Sequence, residues 1–337
     1  MSATEFDLYE RPPRPSLQTW LKHAAFLLVT LVTATIAGVL YPFGTTDTFP
    51  DADPQTWSEI ARFISTIPER YAAFIAGVLY NLATNIEYLK YGLSFSLSLL
   101  FILISHEMGH YVACRIYRVD ATLPYFIPTP PLVGPAGTFG AFIKIRSPMP
   151  SRKAVFDIGV AGPIAGFIAL IPITIVGVLT RNYAMPEQLS QYQSAIVFSN
   201  PLLIKGFAYI FGINLEFGIS NPFYFAAWVG LLVTALNLIP SGQLDGGHAI
   251  YAVLGKRIHY WTGRVAFAAM AALSILGWIY YNSPSGFLIA VLLGVMMRIP
   301  HPEPWDQTPL DLKRKIIAFV TLMIFVLCFL PFPIQIN

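Results

Sequence analysis

Five residues, His106-Glu107-Met108-Gly109-His110, stand inside a stretch that is otherwise apolar enough for a lipid bilayer. From Tyr91 to Ser105 no side chain is ionisable apart from tyrosine, and Tyr111-Val112-Ala113-Cys114 resumes the apolar run. A charged side chain at a bilayer centre costs about 2.5–3.5 kcal/mol even on lenient insertion scales. Three titratable groups within a turn and a half therefore need a compensating partner. On a helix, positions i and i+4 share a face with Cβ atoms about 6 Å apart, so His106 and His110 can reach one cation. The plainer alternative is a polar turn hydrogen-bonded to neighbouring helices.

The rest of the chain agrees with a membrane setting. Hydrophobic residues make up 55% and charged ones 12%, the latter about half the ~25% of ordinary globular proteins. Mean hydropathy is +0.60. A net charge of +3, scattered along the chain, is too small to point to nucleic acid. Cys114 and Cys328 lie at or in apolar runs and form no disulfide framework. Acids and prolines precede the first apolar run, so no cleavable signal peptide is expected.

A crossing needs about 20 mostly apolar residues. Ala24–Tyr41, Gly92–Cys114, Ile158–Leu179, Pro222–Ile239, Val265–Tyr281 and Ile316–Pro333 qualify. Gly286–Met297 is marginal by length. Counting it gives seven spans and leaves only Arg62, Arg70, Lys90, Arg181 and Lys205, of 21 basic residues, on one side. Basic residues mark cytoplasmic loops, so the N-terminus is expected inside. The expected fold is an all-α polytopic membrane protein of about seven spans (six to eight). Residues 1–21 are expected to form a cytoplasmic tail, and 22–337 a single transmembrane domain. Tyr71–Tyr80 is too short to span and reads as an interfacial helix; Pro300–Pro309 reads as a linker.

HExxH is the zinc-protease pattern, two histidine ligands with a glutamate that handles the proton of an activated water. A catalytic zinc takes three protein ligands, so a third is sought on another span. The fourth span ends Asn237-Leu-Ile-Pro240-Ser-Gly242-Gln-Leu-Asp245-Gly-Gly-His248. Pro240 and Gly242 break the helix, and broken helices at membrane depth are tolerated where they are packed in protein or line a wet cavity. Measured from Ile102 at 1.5 Å per residue, His106 lies about 6 Å and His110 about 12 Å towards the cytoplasm. The fourth span also runs inward and brings Asp245 to the same end. Asp245 also reads as an N-cap of the following short helix. Asn237 reads as a cavity-facing polar group or a helix–helix hydrogen-bonding one. His248 ranks behind Asp245 as a ligand, a supporting group or an interfacial residue.

With both segments in view, the chain resembles the site-2 protease family of intramembrane zinc metalloproteases. The resemblance rests on His106–His110 and on Asn237-x-x-Pro240-x-x-x-Leu244-Asp245-Gly246-Gly247, and it covers about 85–255, which it implies is the catalytic core. It implies one zinc ion held by His106, His110 and Asp245, with Glu107 as general base and acid. Asn237 would position the substrate or its oxyanion. Residues 124–146 are similar to that family's re-entrant loop, here expected as a β-like hairpin near 122–146. Ile143 and Ile145 alternate with Lys144 and Arg146, a strand period. Gly137, Thr138, Phe139 and Gly140 are candidate substrate-binding residues on an edge that could take an added strand. Gly162 and Gly166 form a small-residue packing face. No loop has room for the PDZ or nucleotide-sensing modules of many relatives.

The expected function is hydrolysis of peptide bonds in transmembrane substrates. The partners are those substrates and the bilayer, with no nucleic acid. The expected place is a bacterial inner membrane or a chloroplast-type membrane, with the active site towards the cytoplasm. The competing class is a membrane metal transporter or an inactive zinc-binding scaffold. Transport calls for ionisable groups at several depths, and four of the spans contain none. A third ligand drawn from Glu187, Glu216 or Glu303 is disfavoured because all three fall in loops.

Overall fold

In the computed structural model, residues 12–40, 56–131, 133, 136–183, 196–215, 218–219 and 221–336 are described. Among the described residues ten helices run in chain order: α1 (Leu17–Leu40), α2 (Trp57–Thr84), α3 (Ile86–Ile116), α4 (Arg152–Leu179), α5 (Leu202–Ile210), α6 (Pro222–Asn237), α7 (Asp245–Leu254), α8 (Lys256–Tyr281), α9 (Ser285–Met296) and α10 (Leu312–Cys328). Four of them, α1, α3, α4 and α8, are long and apolar enough to cross a membrane. α6 and α9 are apolar but have only 16 and 12 residues, and α10 has 17. The expectation of seven full crossings is therefore met in part. Tyr41, the end of the first expected span, and most of the expected tail lie outside the described residues.

α3 carries the His-Glu-Met-Gly-His turn. The Asn85 side chain caps its start, accepting from the Glu87 and Tyr88 amides at 3.0 and 3.3 Å. At 31 residues it is about 46 Å long, well beyond the ~30 Å hydrocarbon thickness. It packs against α1, α4 and α6. α4 holds Pro163 and Pro172 in its interior, which membrane helices tolerate where neighbours re-satisfy the backbone. The main core lies where α3, α4 and α6 meet, around Phe95, Leu99, Ile102, Leu170, Trp228 and Leu231. Phe95 stacks on Phe225 with ring centres 5.2 Å apart, and the Trp228 indole donates to the Ser199 carbonyl at 2.7 Å.

The expected interfacial helix at Tyr71–Tyr80 is part of a longer one. α2 begins at Trp57 behind a capping box, in which Thr56 and Glu59 each accept from the other's backbone amide at 3.3 Å. The reading followed the apolar stretch alone, whereas the cap and the helix-favouring Glu59, Arg62, Glu69 and Arg70 extend it by fourteen residues at its start. Only Val78 of this helix is buried.

The hairpin is present as β1 (Tyr125–Pro128) paired antiparallel with β2 (Thr138–Phe142), with Tyr125 opposite Phe142 and an irregularity before Pro128. An isolated bridge, Ala121 to Ile145, continues the pairing. Over Ile143–Arg146 burial alternates with the expected period of two. α1 fastens this hairpin: His23 Nδ1 donates to the Pro124 carbonyl at 2.8 Å, and Thr33 Oγ1 to that of Gly137 at 2.7 Å. Gly137 has φ +67°, and a Cβ there would lie 2.3 Å from the Thr33 carbonyl oxygen. Two further strand pairs were not anticipated: β3 (Asn182–Tyr183) with β5 (Gly218–Ile219), and β4 (Ile196–Phe198) with β6 (Ile334–Ile336).

Asn221 joins α4 to α6 at their far ends. Its Oδ1 accepts from the Tyr224 amide at 2.8 Å, and its Nδ2 donates to the Gly177 carbonyl at 2.9 Å and to Thr180 Oγ1 at 3.2 Å. Losing a cap and leaving a buried carbonyl unpaired each cost about 1 kcal/mol. Asn221→Ala should therefore destabilise the chain by about 1–2 kcal/mol. An unchanged thermal midpoint in detergent would contradict this role.

Candidate metal centre

The helical repeat places His106 and His110 on one side of α3, and their Nε2 atoms come within 3.2 Å of each other. The third group arrives through the break after α6. The helix ends at Asn237, the turn passes through Gly242 at φ +56°, and α7 starts at Asp245. The N-cap position belongs to Leu244, which makes no side-chain cap bond. Asp245 is thus not the cap of its own helix. Its Oδ2 instead lies 3.2 Å from His106 Nε2 and 3.3 Å from His110 Nε2.

These three atoms form a nearly equilateral triangle, and they belong to the one group of three or more such side chains, among the described residues, that could hold a metal ion. The dimensions can be tested against zinc chemistry. Ligand atoms 2.0–2.1 Å from a tetrahedral zinc lie about 3.3 Å from one another. The observed edges of 3.2–3.3 Å match, and the donor set of two imidazoles and one carboxylate suits zinc. Both histidines are buried, and Asp245 is largely so.

Supporting contacts orient the ligands. His110 Nδ1 donates to the Ile158 carbonyl at 2.6 Å, which leaves its Nε2 with a lone pair for a cation, the usual arrangement of a metal-binding histidine. Space for the ring comes from α4. A Cβ at Gly162 would fall 2.1 Å from His110 Nε2, and one at Gly166 3.0 Å from the His106 Cβ. The glycines read from sequence as a packing face therefore also hollow out the ligand pocket.

Glu107 is buried beside the triangle, and the Ile143 backbone lies near its carboxyl. This contact links the strand extension to the HExxH turn. The Asn237 amide nitrogen stands 3.4 Å from His106 Nε2. Gly137, Thr138, Phe139 and Gly140 lie apart from the ligands. Their hydrogen bonds run to α1 and to residues 127–129, Phe139 is exposed, and the space where a Gly140 Cβ would go is empty. His248 is not in the triangle; its Nδ1 lies 2.7 Å from His301 Nε2. Glu303 pairs with Lys256, while Glu187 and Glu216 lie outside the described residues. Sequence reading missed Ile143 and Ile158, which act through backbone atoms and carry no side-chain signal. It also missed His301, whose proline-rich surroundings read as a linker.

Comparison with known proteins is consistent with this geometry. The model of peptidase family M50 matches residues 94–277. A protein of Oryza sativa subsp. indica named probable zinc metalloprotease EGY2, chloroplastic, is 27% identical over 325 residues, 86% of this chain and 58% of its own length. Probable zinc metalloprotease EGY1, chloroplastic, of Arabidopsis thaliana is 31% identical over 239 residues, 68% of this chain and 41% of its own length. The chain thus spans about half the length of these curated relatives.

Gly162→Ala tests the pocket. The added methyl collides with the His110 imidazole, so zinc content of the purified protein should fall about tenfold, the lower end for disturbing a ligand's support, while helical content stays. Full zinc occupancy would show that the ring has room to move.

Proposed function

The chain belongs to peptidase family M50, and from that premise we propose that it is a zinc metalloprotease that cuts membrane-spanning substrates within the bilayer. The observation that carries the reading is the His106–His110–Asp245 triangle, of zinc dimensions, beside a buried glutamate on an apolar helix. An ionisable cluster of this kind has little purely structural use at that depth.

His106, His110 and Asp245 hold the ion. When bound, zinc supplies an acidified water and a Lewis acid for the scissile carbonyl. Glu107 takes the water's proton on its carboxylate and delivers it to the leaving amine nitrogen. The Ile143 backbone holds that carboxylate in place. Asn237, whose amide nitrogen faces the ligand triangle, donates to the oxyanion that develops on the carbonyl. Leu99, Ile102 and Leu103 of α3 keep bulk water from the outer side; water enters from the cytoplasmic end.

The substrate is a transmembrane segment that unwinds, because a helical peptide bond is shielded by its own turn. Its extended part adds to the edge of β2 from Thr138 to Gly140, beyond the Gly137 anchor on α1, where main-chain bonding gives grip without demanding sequence. Exposed Phe139 and the open space at Gly140 suit such an edge. The full arrangement has seven spans, with α6, α9 and α10 completing the four long helices and the N-terminus in the cytoplasm. The membrane is a bacterial inner membrane or a chloroplast-type one.

Glu107→Gln should keep zinc and lose at least about 100-fold in cleavage of a single-span peptide in detergent, the lower range for a lost general acid–base group. Asp245→Ala should lower zinc content itself. Near-normal proteolysis by Glu107→Gln would refute the assignment, and a wild type that binds zinc without cleaving any peptide of a varied panel would favour the scaffold reading.

A further inference from the structure

Three of the six histidines meet at the segment between α9 and α10: His301 on the segment itself, His248 of α7 and His259 of α8. His301 Nε2 lies 2.7 Å from His248 Nδ1 on α7. Its ring stacks on Tyr251 of the same helix with centres 4.0 Å apart and planes 8° from parallel. His259 of α8 stands edge-on, 5.2 Å between centres. Around this group the segment is fastened at both ends. Gln243 donates to the Pro300 carbonyl at 2.9 Å, and Lys256 pairs with Glu303. Trp305 and Asp306 donate their amides to the Met149 and Pro150 carbonyls, and the Asp306 carbonyl accepts from Arg152 at 2.8 Å. Pro300, Pro302, Pro304 and Pro309 restrict φ and make the segment a stiff strap rather than a slack linker.

The strap thus touches the turn before Asp245, the helix that Asp245 begins, the start of α8 and the N-terminus of α4. We propose that His301 is a positioning residue for the metal centre, clamping α7 so that Asp245 stays against the two imidazoles of α3. This rests on the metal-centre reading above. Its reach is short, because Asp245, His248 and Tyr251 are spaced by three residues and share one side of α7.

The bonding also sets the proton count. His301 Nδ1 donates to the Pro302 carbonyl at 2.8 Å, so in the neutral ring Nε2 is the acceptor and His248 Nδ1 the donor. A proton added to His301 Nε2 would set two donors face to face and part the clasp. The groups facing the ring are His248 and Tyr251 from α7 and His259 from α8, with the Lys256–Glu303 pair nearby. Burial, first, and then His248 hold the His301 imidazolium pKa down to about 3. The closed strap therefore binds fewer protons than the open one, whose histidine titrates near 6.5. Closure is independent of this proton above that value and weakens about tenfold per pH unit below it.

The test uses the full chain in detergent and two readouts. Zinc affinity is measured by chelator competition at pH 7.5 for wild type, His301→Ala, His301→Phe and His106→Ala. Hydrogen exchange at the Trp305 and Asp306 amides, corrected for intrinsic rate, is followed from pH 7.5 to 5.5. His301→Ala should bind zinc about 10-fold more weakly or worse, the range for groups that orient ligands. His301→Phe, which keeps the stack on Tyr251, should lose less. Strap protection should fall with acidity in wild type and stay flat in His301→Phe. Unaltered zinc affinity in His301→Ala, or protection independent of pH in wild type, overturns the proposal alone. If His301→Ala does not fold, the exchange profiles of wild type and His301→Phe still decide. Wild type that takes up no zinc, or His106→Ala that binds as tightly, overturns the metal reading and this proposal with it.

Discussion

Close approach between α3 and α4 is the constraint on which everything else depends. Two imidazoles, a carboxyl and a carboxylate can be buried in an apolar bundle only if they satisfy one another and a cation. That demands room at the crossing of two helices, and α4 supplies it by having no side chain at Gly162, where His110 Nε2 already fills the place of a Cβ. The Ile158 carbonyl, one turn earlier on α4, orients the same ring. Small residues thus bring the backbones together and leave the space in which the ligands converge.

The second constraint is that the carboxylate cannot come from the same helix. Asp245 reaches the imidazoles because α6 stops at Asn237 and the chain turns at Gly242 before α7 begins. The break costs hydrogen bonds, and the turn recovers some: the Ser241 amide donates to the Ile239 carbonyl and that of Leu244 to Ser241. Next to the same turn of α3, the Ile143 backbone approaches Glu107. His106, Glu107, His110 and Asp245 are consequently held by four separate pieces of chain, and the site is a product of tertiary packing rather than of any one motif.

Much of this was legible in advance, and the pattern of what was not is physical. His106, Glu107 and His110 stood out because charge in an apolar run is costly, and Asp245 because a proline and a glycine break its helix at the matching depth. The strand period in Ile143–Arg146 was readable because side chains alternate. Hydropathy could not reveal where α6 ends, since an apolar run continues through the turn after Asn237. Nor could it reveal α2's polar first half. Backbone partners such as Ile158 and Ile143 leave no mark on residue type. The Pro300–Pro309 segment looked like a connector because prolines mark both slack and taut chain, and only its contacts separate the two.

The hairpin's two glycines carry different freedoms. Gly137 is pressed against the backbone of α1, whereas nothing lies where a side chain at Gly140 would go, although its φ of +96° still disfavours most residues. One end of the strand is therefore anchored, and the neighbouring exposed Phe139 faces no such steric wall. A substitution at Phe139 can therefore change what this strand presents at its exposed face without disturbing the anchor on α1.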